Sequence, residues 1–429
     1  MNAAALATPV ALTEAQAGLW FAQRLAPDNP SFNTAHAVWI DGPLDVAAFV
    51  AAADQAADEA QALALRFAEG ADGQPLQWHD PAHVPRLSVR DVSAEADPAA
   101  AARSLMQADR LSAVDPTRDR ISQQVLFDLG GQRWVWYLRV HHLAADGYGM
   151  ALFADRVCAL HAGRMSEPLP GLSGVLADDA AYRADPRRTQ AGHWWREYMQ
   201  GAPAGVGLAG TVAASDDALR WVQPLDAGFR EQLLQASVRW LQPWPDVLAA
   251  LAAEYLRRMS AADEVVLGVP YMGRLGNASA RVPAMVMNVL PLRVAAGEGS
   301  VEAFTRGLGR QLSQGRKHGR YSPDRGCCIS CRRRCRLTIS QPCPWRRPRR
   351  RSRCCRNSMP PRTRCRRRPW SSCCNRAWTA IHTHPRWCSE TLRWITQRWK
   401  RVASHSPRSC ARWVSARAVW WQWHCRALS

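Results

Sequence analysis

Residues 134–140, Trp-Val-Trp-Tyr-Leu-Arg-Val, form an apolar run with a single charge and neither glycine nor proline. Such a run predicts a buried strand, and it ends directly at His141 and His142. Successive strand residues point to opposite faces, so the two imidazoles cannot share one cavity. One is placed for chemistry and the other for support. Leu143, Ala144, Ala145, Asp146 and Gly147 follow, and Met150, Phe153, Val157 and Leu160 then recur at helical spacing. The histidines therefore stand at a strand-to-helix turn, where Gly147 permits a tight backbone.

A helix beginning there directs free N–H groups and a partial positive charge towards the turn. A neutral imidazole beside such donors can take a proton from an attacking amine, hydroxyl or thiol while the donors stabilise an oxyanion. Asp146 would hold the turn or orient an imidazole rather than react. The plainer alternative is a pair of satisfied core histidines beside a helix-capping aspartate.

His141, His142, Asp146 and Gly147 match HHxxxDG, and the stretch resembles that motif in the condensation domains of nonribosomal peptide synthetases, relatives of chloramphenicol acetyltransferase. Leu12, Gln16, Gly18, Trp20, Gln23 and the block Asp41-Gly-Pro-Leu-Asp45 resemble the family's opening motif. Gly268, Gly273-Arg274 and residues 288–293, Asn-Val-Leu-Pro-Leu-Arg, resemble later ones. Within the family, Met106-Gln-Ala-Asp109, Trp136-Tyr137 and residues 288–292 look most like siderophore synthetases of the enterobactin type.

The resemblance implies an α/β fold of two chloramphenicol-acetyltransferase-like lobes. His142 would be the catalytic histidine, and the Gly147 N–H would assist at the transition state. His141 and Asp146 would support the site. The family usually places an arginine for that aspartate in Leu-Arg-x-x-Phe; Ala64 takes its position here, and Arg66, one strand repeat on, is the expected substitute. Otherwise Arg66 is a surface residue, and Asp146 needs other partners. The implied reaction is amide formation between a carrier-bound acyl or peptidyl donor and a carrier-bound aminoacyl acceptor, possible in siderophore biosynthesis. Acyl and peptidyl carrier protein domains and their thioesters would be the partners. Phosphopantetheine would belong to the carriers, leaving no cofactor and no metal bound directly. A superfamily acyltransferase using a free acceptor is the alternative enzyme, although a single histidine is the common form of the motif there.

Local patterns place the other elements. Thr13 and Asp45 cap helices, Ala35 to Ile40 is a strand, Pro81 to Val92 looks irregular, and Pro98 to Arg110 looks helical. Ile121 to Asp128 pairs across Gly130-Gly131 with the central strand. The first lobe, 1–174, is expected to end after a 168–174 linker. In the partial second lobe, 175–325, His193-Trp-Trp-Arg196 marks an aromatic helix with a packing role. Pro245 opens another helix with Val247, Leu248, Leu251 and Tyr255 as its buried stripe, Glu264 to Val269 and Met285 to Arg293 are strands, and Val301, Phe304, Leu308 and Leu312 mark the last helix.

The formal charge of +20 suggests a nucleic acid or a membrane, but it is unevenly distributed. Residues 326–429 hold 26 of the 56 Lys and Arg with one acid, Glu390; the remainder has 30 basic and 35 acidic residues. That segment also holds 13 of 14 cysteines and 10 of 20 tryptophans, and no glycine follows Gly326. It lacks the glycines and aliphatic residues of a folded domain, so disorder is expected. Cys328 and Cys331, with His382 and His384, give a weak zinc pattern. Arginine interleaved with tryptophan allows adventitious nucleic-acid binding, or, as an alternative function, a basic nucleic-acid-binding protein. No secretory signal and no apolar span is evident, so the body, with a reduced Cys158, is expected to be cytoplasmic.

The leading reading of 326–429 is a shifted reading frame that truncates the condensation domain. In GC-rich coding sequence a one-base shift turns CTG-G into TGG, CTG-C into TGC and GCG-C into CGC. It yields Trp, Cys and Arg together and loses Gly, Asp and Glu. Translating the gene's other two frames past codon 326 is expected to continue the second lobe with glycines and acids; their absence from both would make the segment genuine coding sequence.

Overall fold

The computed structural model describes residues 8–203, 208, 223–274, 276–295 and 299–322, all within one compact unit. The segment 326–429, with its expected disorder and its zinc and nucleic-acid readings, lies outside them.

In chain order the elements are β1 (Val10–Ala11), α1 (Glu14–Leu25), β2 (Asn33–Asp41), α2 (Val46–Glu59), β3 (Leu65–Glu69) and β4 (Pro75–His79). Then come β5 (Leu87–Asp91), α3 (Pro98–Arg110), β6 (Ser122–Asp128), β7 (Arg133–His141) and α4 (Gly147–His161). The later part holds α5 (Ser173–Ala184), α6 (Pro186–Tyr198), α7 (Ala227–Trp240), α8 (Trp244–Met259), β8 (Glu264–Tyr271), β9 (Asn288–Ala295) and α9 (Val301–Lys317). No helix among the described residues is long and apolar enough to cross a membrane.

Side-chain oxygens set several helix starts, satisfying N–H groups that the helix itself leaves open. Thr13 and Gln16 form a reciprocal capping box on α1, and Asp45, Asp97, Asp226 and Ser300 cap α2, α3, α7 and α9. Gly130, Gly131 and Gln132 take positive φ in the β6–β7 turn, the conformation that the glycine pair supplies most easily.

The main sheet has the order β2-β7-β6-β5, with β7 inside it. Its burial on both faces explains the unbroken apolar run. Trp136, Leu138 and Val140 pack with Phe49 and Ala53 of α2 and with Met150, Phe153 and Val157 of α4. Val135 and Tyr137 face Ala102 and Met106 of α3. A second sheet has the order β1-β4-β3. β8 and β9 pair antiparallel over a separate core of Ala250, Ala253, Leu308 and Leu312.

Two elements depart from the sequence reading. Residues 87–91, expected to be irregular, form β5, an edge strand parallel to β6. Four of its five residues are exposed, so no apolar alternation marks it. α7 went unrecognised for a related reason, since none of its residues is buried. α5 begins at Ser173, within two residues of the position where the first lobe is expected to end.

The packing gives a direct contrast in stability. Phe153→Ala, at a fully buried position, is expected to cost about 3–5 kcal/mol. Leu251, expected with Tyr255 in the buried stripe of α8, is exposed there, as is Tyr255, while Val247 faces inward; Leu251→Ala should therefore change stability by less than about 0.5 kcal/mol. Urea unfolding of both variants measures the difference, and equal losses would mean that the inward face of α4 is misassigned.

Candidate active site

The site forms where β7 ends. Asn33 of β2 and His141 are register partners. His141 N–H donates to the Ile121 carbonyl at 2.7 Å and His142 N–H to the Phe32 carbonyl at 2.8 Å, so consecutive residues are held from opposite sides. Their side chains diverge as the strand period requires. His141 is buried against Phe32 and Gln23, while His142 is half-buried.

The turn then passes into α4. Asp146 is its N-cap: Oδ1 accepts the Gly149 N–H at 2.8 Å and its carbonyl accepts the Met150 N–H at 3.0 Å. Gly147 is the first helical residue, so its N–H has no acceptor within the helix and is available to an oxyanion.

The cap is also half of a buried ion pair. Arg274 Nη2 lies 2.8 and 2.9 Å from the two Asp146 oxygens, and both side chains are 2% exposed. Oδ2 accepts the Val286 and Met287 N–H groups at 3.1 and 3.0 Å as well. The guanidinium donates in turn to the carbonyls of Ser279, Val282 and Ala284. It lies over the Tyr148 ring, 5.1 Å from its centroid. Gly149 permits this packing, because a Cβ there would stand 2.9 Å from the Ala284 nitrogen.

Both imidazoles are held neutral. Burial, with His142 and Arg139 nearby, pushes His141 down to about 3. Burial also lowers His142; the Asp146 charge and a backbone hydrogen bond at Ala145 oppose this without overcoming it. A neutral, half-buried imidazole can accept a proton. A cleft of about 560 Å³, including solvent at its mouth, is lined by Glu14, Asp179, Tyr271, Met285, Val286 and Asn288, and so borders the residues that hold Asp146.

Thus His141, His142, Asp146 and Gly147 come together as expected, and the plainer alternative also describes part of the result: His141 is a satisfied core histidine and Asp146 a helix cap. Arg66 must be corrected. It lies on β3, in the other sheet. There its Nη1 meets His83 Nε2 at 2.8 Å and its Nη2 donates to the Thr117 carbonyl at 3.4 Å, with Asp80 4.0 Å away. The strand repeat fixes a face within a sheet, but not which sheet. Asp146 is paired by Arg274 instead, a residue the sequence marked only as part of a motif-like dipeptide; Gly149 carried no signal at all.

A strand-end histidine, a helix N-terminus and a buried turn define a site able to promote acyl transfer. The comparisons with known proteins show the family. The family model for the condensation domain matches residues 7–323, and the chain belongs to that family. It is 37% identical over 318 residues to a dimodular nonribosomal peptide synthase of Bacillus subtilis, covering 72% of this chain and 13% of that protein. It is 31% identical to enterobactin synthase component F of Escherichia coli O157:H7, covering 73% of this chain and 25% of that protein. The chain thus spans a quarter or less of these curated relatives. A solved starter condensation domain of rhizomide synthetase, a variant in complex with C8-CoA, superposes with a TM-score of 0.67 at 30% identity, covering 80% of this chain and 78% of that one.

Because each charge of the Asp146–Arg274 pair depends on the other, Arg274→Ala is expected to destabilise the protein by about 3–5 kcal/mol. Arg274→Lys should recover part of this, since an ammonium keeps the charge without the guanidinium fork. Denaturant unfolding followed by tryptophan fluorescence measures both, and a wild-type midpoint for Arg274→Ala would show that the pair does not support the fold.

Proposed function

We propose that this site performs the condensation step of nonribosomal peptide synthesis. The amine of an aminoacyl thioester on one carrier domain attacks the carbonyl of an acyl or peptidyl thioester on another. His142 takes the amine proton as the C–N bond forms, the Gly147 N–H supports the oxyanion, and the C–S bond breaks to release the donor carrier's thiol, which regains a proton. His141 and Asp146 hold the turn. The phosphopantetheine arms come with the carriers, and the chain contributes no cofactor. The observation that carries this reading is the neutral His142 placed one short turn before the open N-terminus of α4. The complex of a similar domain with C8-CoA supports a thioester donor.

The likeness to enterobactin synthase component F supports a finer assignment to siderophore assembly. The higher identity to the dimodular synthase supports the condensation step alone. We assign little turnover to the chain as it stands, because the family match ends at residue 323 and the composition changes directly after it.

Carrier proteins loaded with an acyl donor and an aminoacyl acceptor test the reading, with the product followed by mass spectrometry. Both carriers should bind the wild-type chain and His142→Ala alike. Amide formation should be slow in the wild type and lower by about 10²-fold or more in the variant. Equal rates would overturn the role of His142, and product formed with a free amine but not with a loaded carrier would favour the free-acceptor alternative.

A further inference from the structure

Helix α1 carries Gln16, Trp20 and Gln23 buried on one face, and the two glutamines reach the residues on either side of His142. Gln23 Nε2 donates to the carbonyls of Ala26, Pro27 and Asn29, the segment that ends the helix, at 3.2, 2.8 and 3.3 Å. These acceptors fix the orientation of the amide, since only its nitrogen can donate to carbonyls. Its oxygen is thereby turned onto His141 Nε2, 3.2 Å away. An amide oxygen can only accept, so Nε2 must carry the imidazole proton. Independently, the Leu143 N–H donates to Nδ1 at 3.2 Å, which requires that nitrogen to be bare. Both contacts demand the same neutral tautomer.

Gln16 acts on the other side of His142. Its Nε2 donates to the Leu143 carbonyl at 2.8 Å and to Gln77 Oε1 at 2.8 Å. Its Oε1 accepts the Thr13 N–H at 2.9 Å and Gln77 Nε2 at 2.8 Å. Gln77 is 1% exposed on β4, so this amide is fixed by the second sheet as well as by the helix cap. One glutamine holds the residue before His142, and the other holds the residue after it.

We infer that α1 is a clamp on the reaction centre: Gln16 and Gln23 are positioning residues that fix His142 through its two neighbours, and Gln23 selects the tautomer of His141. The clamp gains its purpose from the condensation reading, under which a small displacement of His142 would slow amide formation. Its existence can be tested without turnover.

The test uses the full chain with ring-¹⁵N histidine, in the wild type, Gln23→Leu and Gln16→Leu. Leucine fills the space but can neither accept nor donate. In the wild type at pH 7, His141 should show one Nε2–H tautomer. Gln23→Leu should give a mixture of tautomers and speed exchange of the Leu143 amide proton by roughly fivefold, the effect of one lost hydrogen bond. Gln16→Leu should leave the His141 tautomer intact, and in both variants the His142 ring signals should shift. Should Gln16→Leu fail to fold because its capping box is lost, Gln23→Leu decides alone. Wild-type His142 signals in Gln23→Leu would overturn the clamp. So would exchange that quickens equally along β7 and α4, since that reports general loosening. A chain that forms no amide but shows the expected signals would retain the clamp and lose only the functional reading.

Discussion

The contact of Arg274 Nη2 with both carboxylate oxygens of Asp146 is the constraint on which the site depends. Removing a carboxylate and a guanidinium from water costs several kcal/mol for each ion, and their attraction offsets this only when the remaining lone pairs and protons are also satisfied. Here they largely are. Gly149, Val286 and Met287 supply N–H groups to the carboxylate, and Ser279, Val282 and Ala284 supply carbonyls to the guanidinium. Those partners lie on both sides of a separation of 128 residues. The α4 cap and the loop leading to β9 must therefore form together, which makes the pair a device for joining distant segments rather than a source of net stability.

Burial sets the state of His142. A carboxylate four residues away would ordinarily favour the imidazolium, and Asp146 does pull in that direction. Its charge, however, is compensated at contact distance by Arg274 and dispersed over three backbone N–H groups. What remains does not overcome burial, so the imidazole stays neutral.

The sequence disclosed the parts of the site that are local. An apolar run buried on both faces, two histidines at its end and a capping aspartate before a helical stripe leave patterns within a few residues, and each element formed where those patterns placed it. Contacts made across the fold leave no such pattern. Arg66 and Arg274 are both arginines near motif-like residues, and nothing local separates them; the distinction is that β3 joins a different sheet from β7. Gly149 is an ordinary helix glycine until the Ala284 backbone packs against it. β5 and α7 escaped detection because their exposed residues remove the burial that periodicity reports. Gln16 and Gln23 were visible as motif letters, but their roles depend on which amide atom faces which partner.

Order in the later part of the chain has another source. With two strands in its described sheet, that part relies on single side chains reaching backbone carbonyls. Trp195 Nε1 donates to the His318 carbonyl, and Asn288 Nδ2 donates to those of Gly319 and Tyr321. Arg316 pairs with the buried Asp246, which fastens α9 to α8. Close packing contributes too, since Gly192 lies under the Tyr321 ring and Gly315 against Trp195. These contacts meet in residues 315–321, which Asn288 holds through the Gly319 and Tyr321 carbonyls, and Asn288 directly follows the residues whose N–H groups hold Asp146. Loosening the segment 318–322 would therefore reach the α4 cap through the start of β9. The turn that carries His142 lies early in the sequence, but its order depends on segments that come 140 and more residues later.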